Sequence, residues 1–116
     1  MNTFSRNIRP FVSQEIAAAA TADRDSTGFM HLERAHVLGQ ASTREHVRVH
    51  FHMLVWAWRQ RQVRELSGQL FRLLGAAMLT AIGMVPTGNT GGSNVSPFRK
   101  MAVAPDLAIL IATARR

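Results

Sequence analysis

Apolar residues recur every three to four positions in four successive segments of this sequence, and this periodicity constrains the fold more than any other feature. Such spacing places the apolar side chains on one face of an α-helix. No segment shows the apolar–polar alternation that is typical of a half-buried β-strand. The sequence therefore predicts an all-α protein, with helices over residues 8–22, 27–38, 42–60, 63–82 and, near the C-terminus, 105–114.

Several residues indicate where these helices begin. Ser42 and Glu45 have the spacing of a capping box, in which a hydroxyl and a carboxylate three residues later accept the free amides of the first turn. Ser26 is expected to cap the second helix. Pro10 falls in the first turn of the first predicted helix, where proline is tolerated because an N–H there has no helical partner.

The connections between the helices predict how the helices pack. One helix over residues 42–84 would be about 64 Å long at about 1.5 Å per residue, which is about twice the width of a domain of this size. We therefore predict a turn near Arg61 and Gln62. Because short connections place consecutive helices side by side, we expect two stacked antiparallel helical hairpins in a single domain of 116 residues. Residues 85–104 are rich in glycine, asparagine, serine and proline and are expected to form a long loop.

The composition excludes several classes of function. The absence of cysteine excludes disulfide scaffolds, thiolate zinc sites and cysteine nucleophiles. The seven carboxylates show no spacing that is typical of a catalytic pair, so we expect no enzyme. The longest apolar run, residues 73–85, is shorter than the roughly 18 residues that a membrane span needs, and the N-terminal segment lacks a signal-peptide pattern. These features predict a cytoplasmic protein without a membrane span.

The charge of the chain is strongly basic and comes almost entirely from arginine. Fourteen basic residues oppose seven acidic ones, which gives a formal net charge of +7, and Lys100 is the single lysine. Arginine suits carboxylate and phosphate partners because its guanidinium group donates two parallel hydrogen bonds. The arginines are spread along the chain rather than gathered in one tract, so an acidic protein partner is favoured over nucleic acid.

Histidines are the clearest indication of a chemical site. His46 and His50 lie four residues apart and hence on one face of the third predicted helix. If the second and third helices are antiparallel, His36 at the end of the second helix approaches both of them. Three imidazoles, or two with Glu33, form a ligand set that suits Zn²⁺, Ni²⁺ or Cu²⁺. The alternative is that these histidines only hydrogen-bond between helices or are exposed to solvent.

Two further features suggest binding surfaces. Gly88, Gly91 and Gly92 tolerate positive φ angles, and successive amides in such a loop can form an anion-binding nest. The alternative is a structural loop that crosses the helices and docks Phe98 and Met101. The fourth predicted helix has an apolar face with small residues that is wider than one neighbouring helix needs, which favours a homodimer through this helix.

Three blocks of the sequence resemble a known family: HLERAHVLGQ at His31–Gln40, HVRVH from His46, and VPTGNTGGSNVSPFR at Val85–Arg99. Together they are similar to a family of short bacterial helical proteins that is catalogued as a domain of unknown function. The resemblance covers nearly the whole chain and implies a compact helical protein, but it implies no activity, ligand or catalytic residue. The first hairpin, residues 8–40, is also close to the period of about 34 residues in tetratricopeptide repeats, although their first-helix pattern is absent.

The sequence as a whole favours a helical binding or scaffold module that acts through protein contacts. Stacked hairpins leave a groove, and a basic groove suits an acidic partner. The first alternative is a protein that binds a divalent transition metal such as zinc through His36, His46 and His50. The second alternative is a nucleic-acid-binding protein that uses the dispersed arginines. Of these three functions, only the first alternative requires a bound metal cofactor.

Overall fold

The computed structural model describes residues 2–22, 26–81, 88–92 and 99–116. These residues form five α-helices and no β-strand, so the predicted all-α fold is confirmed. In chain order the helices are α1 (Thr3–Thr21), α2 (Ser26–Gly39), α3 (Thr43–Arg59), α4 (Val63–Ala81) and α5 (Pro105–Ala114). Among the described residues, no helix is both long enough and apolar enough to cross a membrane.

The helices pack as two hairpins with the C-terminal helix against the first of them. α1 packs along α2, and α3 packs along α4. The hairpins meet because α3 contacts both α1 and α2, while α5 lies against α1 and α2. Within the described residues, α3 is the only helix that α4 contacts, so α4 lies at one edge of the helical assembly.

A turn separates α3 from α4 where the length argument predicts one. Residues 60–62 connect the two helices, and Arg61 has a φ of 53°, which is in the left-handed region. The backbone amide of Gln60 donates to the carbonyl of Trp56 at 2.9 Å and so completes the last turn of α3. This reversal of the chain direction places α4 back along α3.

The apolar core lies among α1, α2, α3 and α5. Its members are buried aliphatic side chains: Ile8, Val12, Leu32, Ala35, Val37, Leu38, Val49, Met53, Leu107 and Ala114. None of the described side chains of α4 belongs to this cluster. Among the described side chains, the apolar core therefore unites four helices.

The start of the first helix differs from its prediction. α1 begins at Thr3 rather than at residue 8, because the side chain of Asn2 accepts a hydrogen bond from the amide of Ser5 at 2.7 Å and caps the helix. Pro10 consequently lies inside α1 rather than in its first turn. The carbonyl of Arg6 loses its helical donor, but both Arg6 and Pro10 are exposed, so water can hydrate that carbonyl.

The predicted cap of α3 is confirmed in one of its two hydrogen bonds. Ser42 precedes the first residue of α3, and its hydroxyl accepts the amide of Glu45 at 3.4 Å and the hydroxyl of Ser5 at 2.7 Å. The carboxylate of Glu45 instead accepts from Arg48 at 2.7 Å. The predicted cap at Ser26 is wrong, because Ser26 is already the first residue of α2.

Two predictions fall partly on residues that the structure does not describe. The predicted loop over residues 85–104 contains residues 85–87 and 93–98, which lie outside the described part of the chain together with residues 82–84. Most of the apolar face that was predicted to form a homodimer also lies outside the described side chains of α4. The homodimer therefore stays a prediction, as does the tetratricopeptide-like arrangement of the hairpins.

We expect Ser42→Ala to lower the free energy of unfolding by about 1 kcal/mol or slightly more, because it removes both the cap and the buried partner of Ser5. Urea unfolding followed by circular dichroism measures this loss. Ser67→Ala is the matched control, since Ser67 is an exposed serine on α4 and should tolerate alanine. Equal stabilities of the two variants would contradict the capping role.

Candidate metal centre

Three histidines from two helices converge on one point. His36 lies on α2, and His46 and His50 lie one turn apart on α3. The Nε2 atom of His36 is 2.9 Å from that of His46 and 3.1 Å from that of His50, and the third Nε2 pair is 3.2 Å apart. The three side chains are 2–4% exposed. The structure therefore brings together all three histidines that the sequence analysis selected, and we name them the histidine cluster.

The outer nitrogens of two cluster members bond to oxygen acceptors. The Nδ1 of His36 lies 2.6 Å from the backbone carbonyl of Asn89, and the Nδ1 of His50 lies 2.5 Å from the Oε1 of Gln69. Because a carbonyl oxygen only accepts, both Nδ1 atoms carry a proton. The Nε2 atoms of the neutral His36 and His50 rings are consequently unprotonated, and their lone pairs face the centre of the cluster.

The orientation of the Gln69 amide follows from its other contacts. Its Nε2 donates to the Oε1 of Glu65 at 2.7 Å and to the carbonyl of Gly91 at 3.0 Å. Both of these atoms are acceptors, so the amide nitrogen points to them and the amide oxygen points to His50. Gln69 itself is fully buried.

The neutral cluster contains a contact that no proton can mediate. A proton on the Nε2 of His46 can lie between His46 and a neighbour, but the 3.1 Å contact between His36 and His50 joins two lone pairs. Burial is the largest cause that lowers the pKa of each ring: well below its usual value for His36, to about 3 for His46, and downward for His50. The neighbouring rings lower the pKa values of His36 and His46 further. An extra proton therefore does not occupy the centre at neutral pH.

The geometry of the histidine cluster fits a transition-metal ion. Nitrogens that bind one tetrahedral zinc ion at about 2.1 Å lie roughly 3.4 Å from one another, which is slightly longer than the separations of the three Nε2 atoms. Neutral imidazoles are ligands for zinc, nickel and copper alike. Three protein ligands would leave one position of a tetrahedral ion for water or another small ligand.

Comparison with known proteins places this chain in a family. The profile of a family described as a protein of unknown function, DUF3703, matches residues 6–111 of the chain. The chain belongs to this family. The matched range includes the histidine cluster together with Gln69 and Asn89, and it confirms the resemblance found in the sequence. No curated protein and no solved structure matches the chain.

A cation and a carboxylate lie close to the histidine cluster. The guanidinium group of Arg72 donates to the carbonyl of Gly91 at 2.9 Å and also to that of Gly92. Its positive charge contributes to lowering the pKa values of His36 and His50. Glu65 acts in the opposite direction on the pKa of His50, so the two charges partly compensate each other.

The glycines of the predicted anion loop support the cluster by packing against it. Gly88 and Gly91 have φ angles of 77° and 83°, which glycine adopts without strain. A Cβ on Gly91 would lie 2.4 Å from the imidazole of His36, so only glycine allows the loop to approach this ring. The carbonyls of Gly91 and Gly92 face the donors of α4. These contacts favour the structural interpretation, and the anion-binding nest stays a prediction.

The other residues considered from the sequence lie outside the cluster. Among the described residues, the group able to hold a metal contains the three histidines and not Glu33. His31 bonds to the carboxylate of Glu15 at 2.7 Å, and that carboxylate also accepts from Arg34. Sequence reasoning missed Gln69, although its position between the apolar residues of the fourth helix was a signal. It also missed Asn89, because this residue acts through its backbone carbonyl, which every residue has and which no side-chain pattern can indicate.

Without metal, we expect the protein to lose stability as the pH falls below about 6.5. The pKa values of the three rings are lowered in the folded state, so the unfolded chain binds protons there that the folded chain does not. Each ring that stays neutral costs about 1.4 kcal/mol per pH unit below 6.5, and for His46 this continues towards pH 3.

Urea unfolding in a chelator at pH 7.5 and pH 5.5 measures this slope. His50→Gln removes one of the three rings and should have a shallower slope, whereas His31→Gln, outside the cluster, should retain the slope of the wild type. A stability that does not change between the two pH values would contradict a buried neutral cluster.

Proposed function

We propose that this protein binds a divalent transition-metal ion through His36, His46 and His50. The observation that carries this proposal is the convergence of three Nε2 atoms within 3.2 Å, with the outer nitrogens of two rings bonded to oxygen acceptors. A metal ion accepts all three lone pairs at once and so relieves their mutual repulsion. Hydrogen bonding among the rings alone leaves the contact between His36 and His50 unsatisfied.

The surroundings of the cluster support ligation. Histidines that bind metals almost always donate their other ring proton to a carbonyl, carboxylate or water, which fixes the tautomer and makes the ligating nitrogen more basic. Asn89 and Gln69 supply such acceptors to His36 and His50. Because α2 and α3 hold the ligands and are themselves part of the apolar core, the backbone that carries the three rings is in place before an ion binds.

The ligand chemistry selects the class of ion. Three neutral nitrogens favour zinc, nickel and copper over magnesium and calcium, which require oxygen ligands. No thiolate contributes, since the chain has no cysteine. The site also differs from a closed structural zinc site, where four protein ligands surround the ion. These features support reversible binding with one exchangeable position on the ion.

Isothermal titration of the metal-free protein with Zn²⁺, Ni²⁺ and Cu²⁺ at pH 7.5 tests the proposal. We expect one ion per chain for the wild type and loss of this binding in the His46→Ala/His50→Ala variant, because one remaining imidazole cannot hold the ion. The matched control is His31→Ala/His52→Ala, which removes two histidines outside the cluster. No binding by the wild type, or equal binding by the His46→Ala/His50→Ala variant, would refute the proposal.

A second function, contact with a protein partner, is supported by exposed apolar side chains on the α3–α4 hairpin. Trp58, Val63 and Phe71 are 70–75% exposed. Exposed arginines lie near them in the chain: Arg59, Arg61 and Arg64. Apolar side chains beside positive charge suit an acidic partner. By contrast, Arg34, Arg48 and Arg72 bond within the chain, which weighs against a nucleic-acid surface made of all the arginines.

We expect Trp58→Ser/Phe71→Ser to abolish the capture of a protein partner from cell extract while leaving metal binding unchanged, because both side chains are exposed and neither makes one of the contacts described around the cluster. Affinity capture followed by mass spectrometry measures the loss. Ile109→Ser is the control, since Ile109 is 66% exposed on α5. Capture of the same partner by the wild type and the double variant would contradict this second function.

A further inference from the structure

We infer that metal binding at the histidine cluster controls the docking of α4 and of residues 88–92 onto the other helices. The inference rests on the proposed function and adds a regulatory property to it. Three observations support it: the polar contacts of the described part of α4, the hydrogen bonds that join α4 and residues 88–92 to the cluster, and the Nδ1 protons that those hydrogen bonds require.

The part of α4 whose side chains the structure describes is attached to the histidine cluster and to residues 88–92 through polar contacts. Of its described side chains, Gln69 is the one that is buried. Phe71 and Val63 are exposed, and Leu66 and Leu73 are half-buried. No described side chain of α4 belongs to the apolar core that unites α1, α2, α3 and α5. Among the described side chains of α4, Gln69 and Arg72 make the hydrogen bonds that attach the helix to the cluster and to residues 88–92.

Three hydrogen bonds join α4 and residues 88–92 to the histidine cluster, and we name them the polar clasp. His50 donates to Gln69, Gln69 donates to the carbonyl of Gly91, and the nearby carbonyl of Asn89 accepts from His36. Inside the cluster, the Nε2 atoms of His36 and His50 are in contact at 3.1 Å without a proton between them. α4 and residues 88–92 are thus bonded to the two rings that would ligate the ion.

The polar clasp and a metal-free cluster compete for the same protons. The clasp requires a proton on the Nδ1 of both His36 and His50, and this tautomer directs two lone pairs at each other across the cluster. If the proton of either ring moves from Nδ1 to Nε2, that repulsion is relieved. The Nδ1 then has a lone pair that faces an oxygen acceptor, and the outward hydrogen bond is lost. With the clasp intact and without a cation, the lone pairs of His36 and His50 share at most the one proton of the His46 Nε2, and the contact between them stays repulsive.

A metal ion removes this conflict. It binds the Nε2 lone pairs, keeps the proton on Nδ1 and makes that N–H a stronger donor to Gln69 and Asn89. Metal binding therefore strengthens the polar clasp, and by linkage the intact clasp raises metal affinity by the same factor. The structure described here, with both rings donating outwards, is the arrangement that metal binding favours.

Hydrogen exchange of the full-length protein with and without Zn²⁺ at pH 7.5, read by mass spectrometry, tests the inference. We expect zinc to slow exchange about tenfold or more in α4 and residues 88–92. The effect should be smaller in α5, which belongs to the apolar core and shares only the general stabilisation by a ligand.

Two variants sharpen the test. Gln69→Leu removes the acceptor of His50, so it should weaken zinc binding by about 10–100-fold and abolish the extra protection of α4. Gln14→Leu, at an exposed glutamine on α1, should behave as the wild type. The wild-type comparison alone decides the inference if Gln69→Leu does not fold.

The outcomes distinguish the inference from the proposed function. Zinc binding in calorimetry with equal slowing of exchange in α4 and α5 would overturn the inference and leave the metal site in place. Zinc binding by Gln69→Leu with wild-type affinity would overturn it as well. No zinc binding by the wild type would overturn both.

Discussion

Three ring nitrogens that converge on one point, two of them with unprotonated lone pairs directed inwards, are the interaction on which the candidate site depends. His36, His46 and His50 are buried, and burial keeps their rings neutral. Hydrogen bonds to Asn89 and Gln69 then orient two of the rings with their unprotonated nitrogens inwards. Without a cation, the contact between the Nε2 atoms of His36 and His50 joins two lone pairs, and the proposed metal ion would accept both.

The described residues combine two kinds of stabilisation around α3. Towards α1, α2 and α5, aliphatic side chains form an apolar core that tolerates small adjustments because dispersion and the hydrophobic effect are not directional. Towards residues 88–92 and the described side chains of α4, the contacts around the histidine cluster are hydrogen bonds, which are favourable only when every buried donor and acceptor is paired. The inferred coupling between metal binding and the docking of α4 rests on this division.

The helices were predictable because the periodicity of apolar residues is a local property. α5 has the predicted bounds, and the turn between α3 and α4 is near the predicted residues. The predicted start of α1 was wrong because the cap by Asn2 begins the helix five residues before the predicted first residue. Phe4 continues the apolar face of the helix and was the available signal. The hydrogen bonding of Gln69 could also have been predicted, because a glutamine that lies among apolar helix positions is expected to be buried, and a buried polar side chain needs a hydrogen-bond partner.

The sequence by itself determined the helices, the absence of thiolate chemistry and the placement of His46 and His50 on one face of α3. Only the tertiary structure decided that His36 meets them and which nitrogen of each ring points inwards. The physical reason is that the tautomer of a histidine depends on the acceptor of its other nitrogen. For His36 that acceptor lies 53 residues away in the chain, and for His50 it lies 19 residues away. No local pattern encodes such a contact, so it arises only when the helices pack.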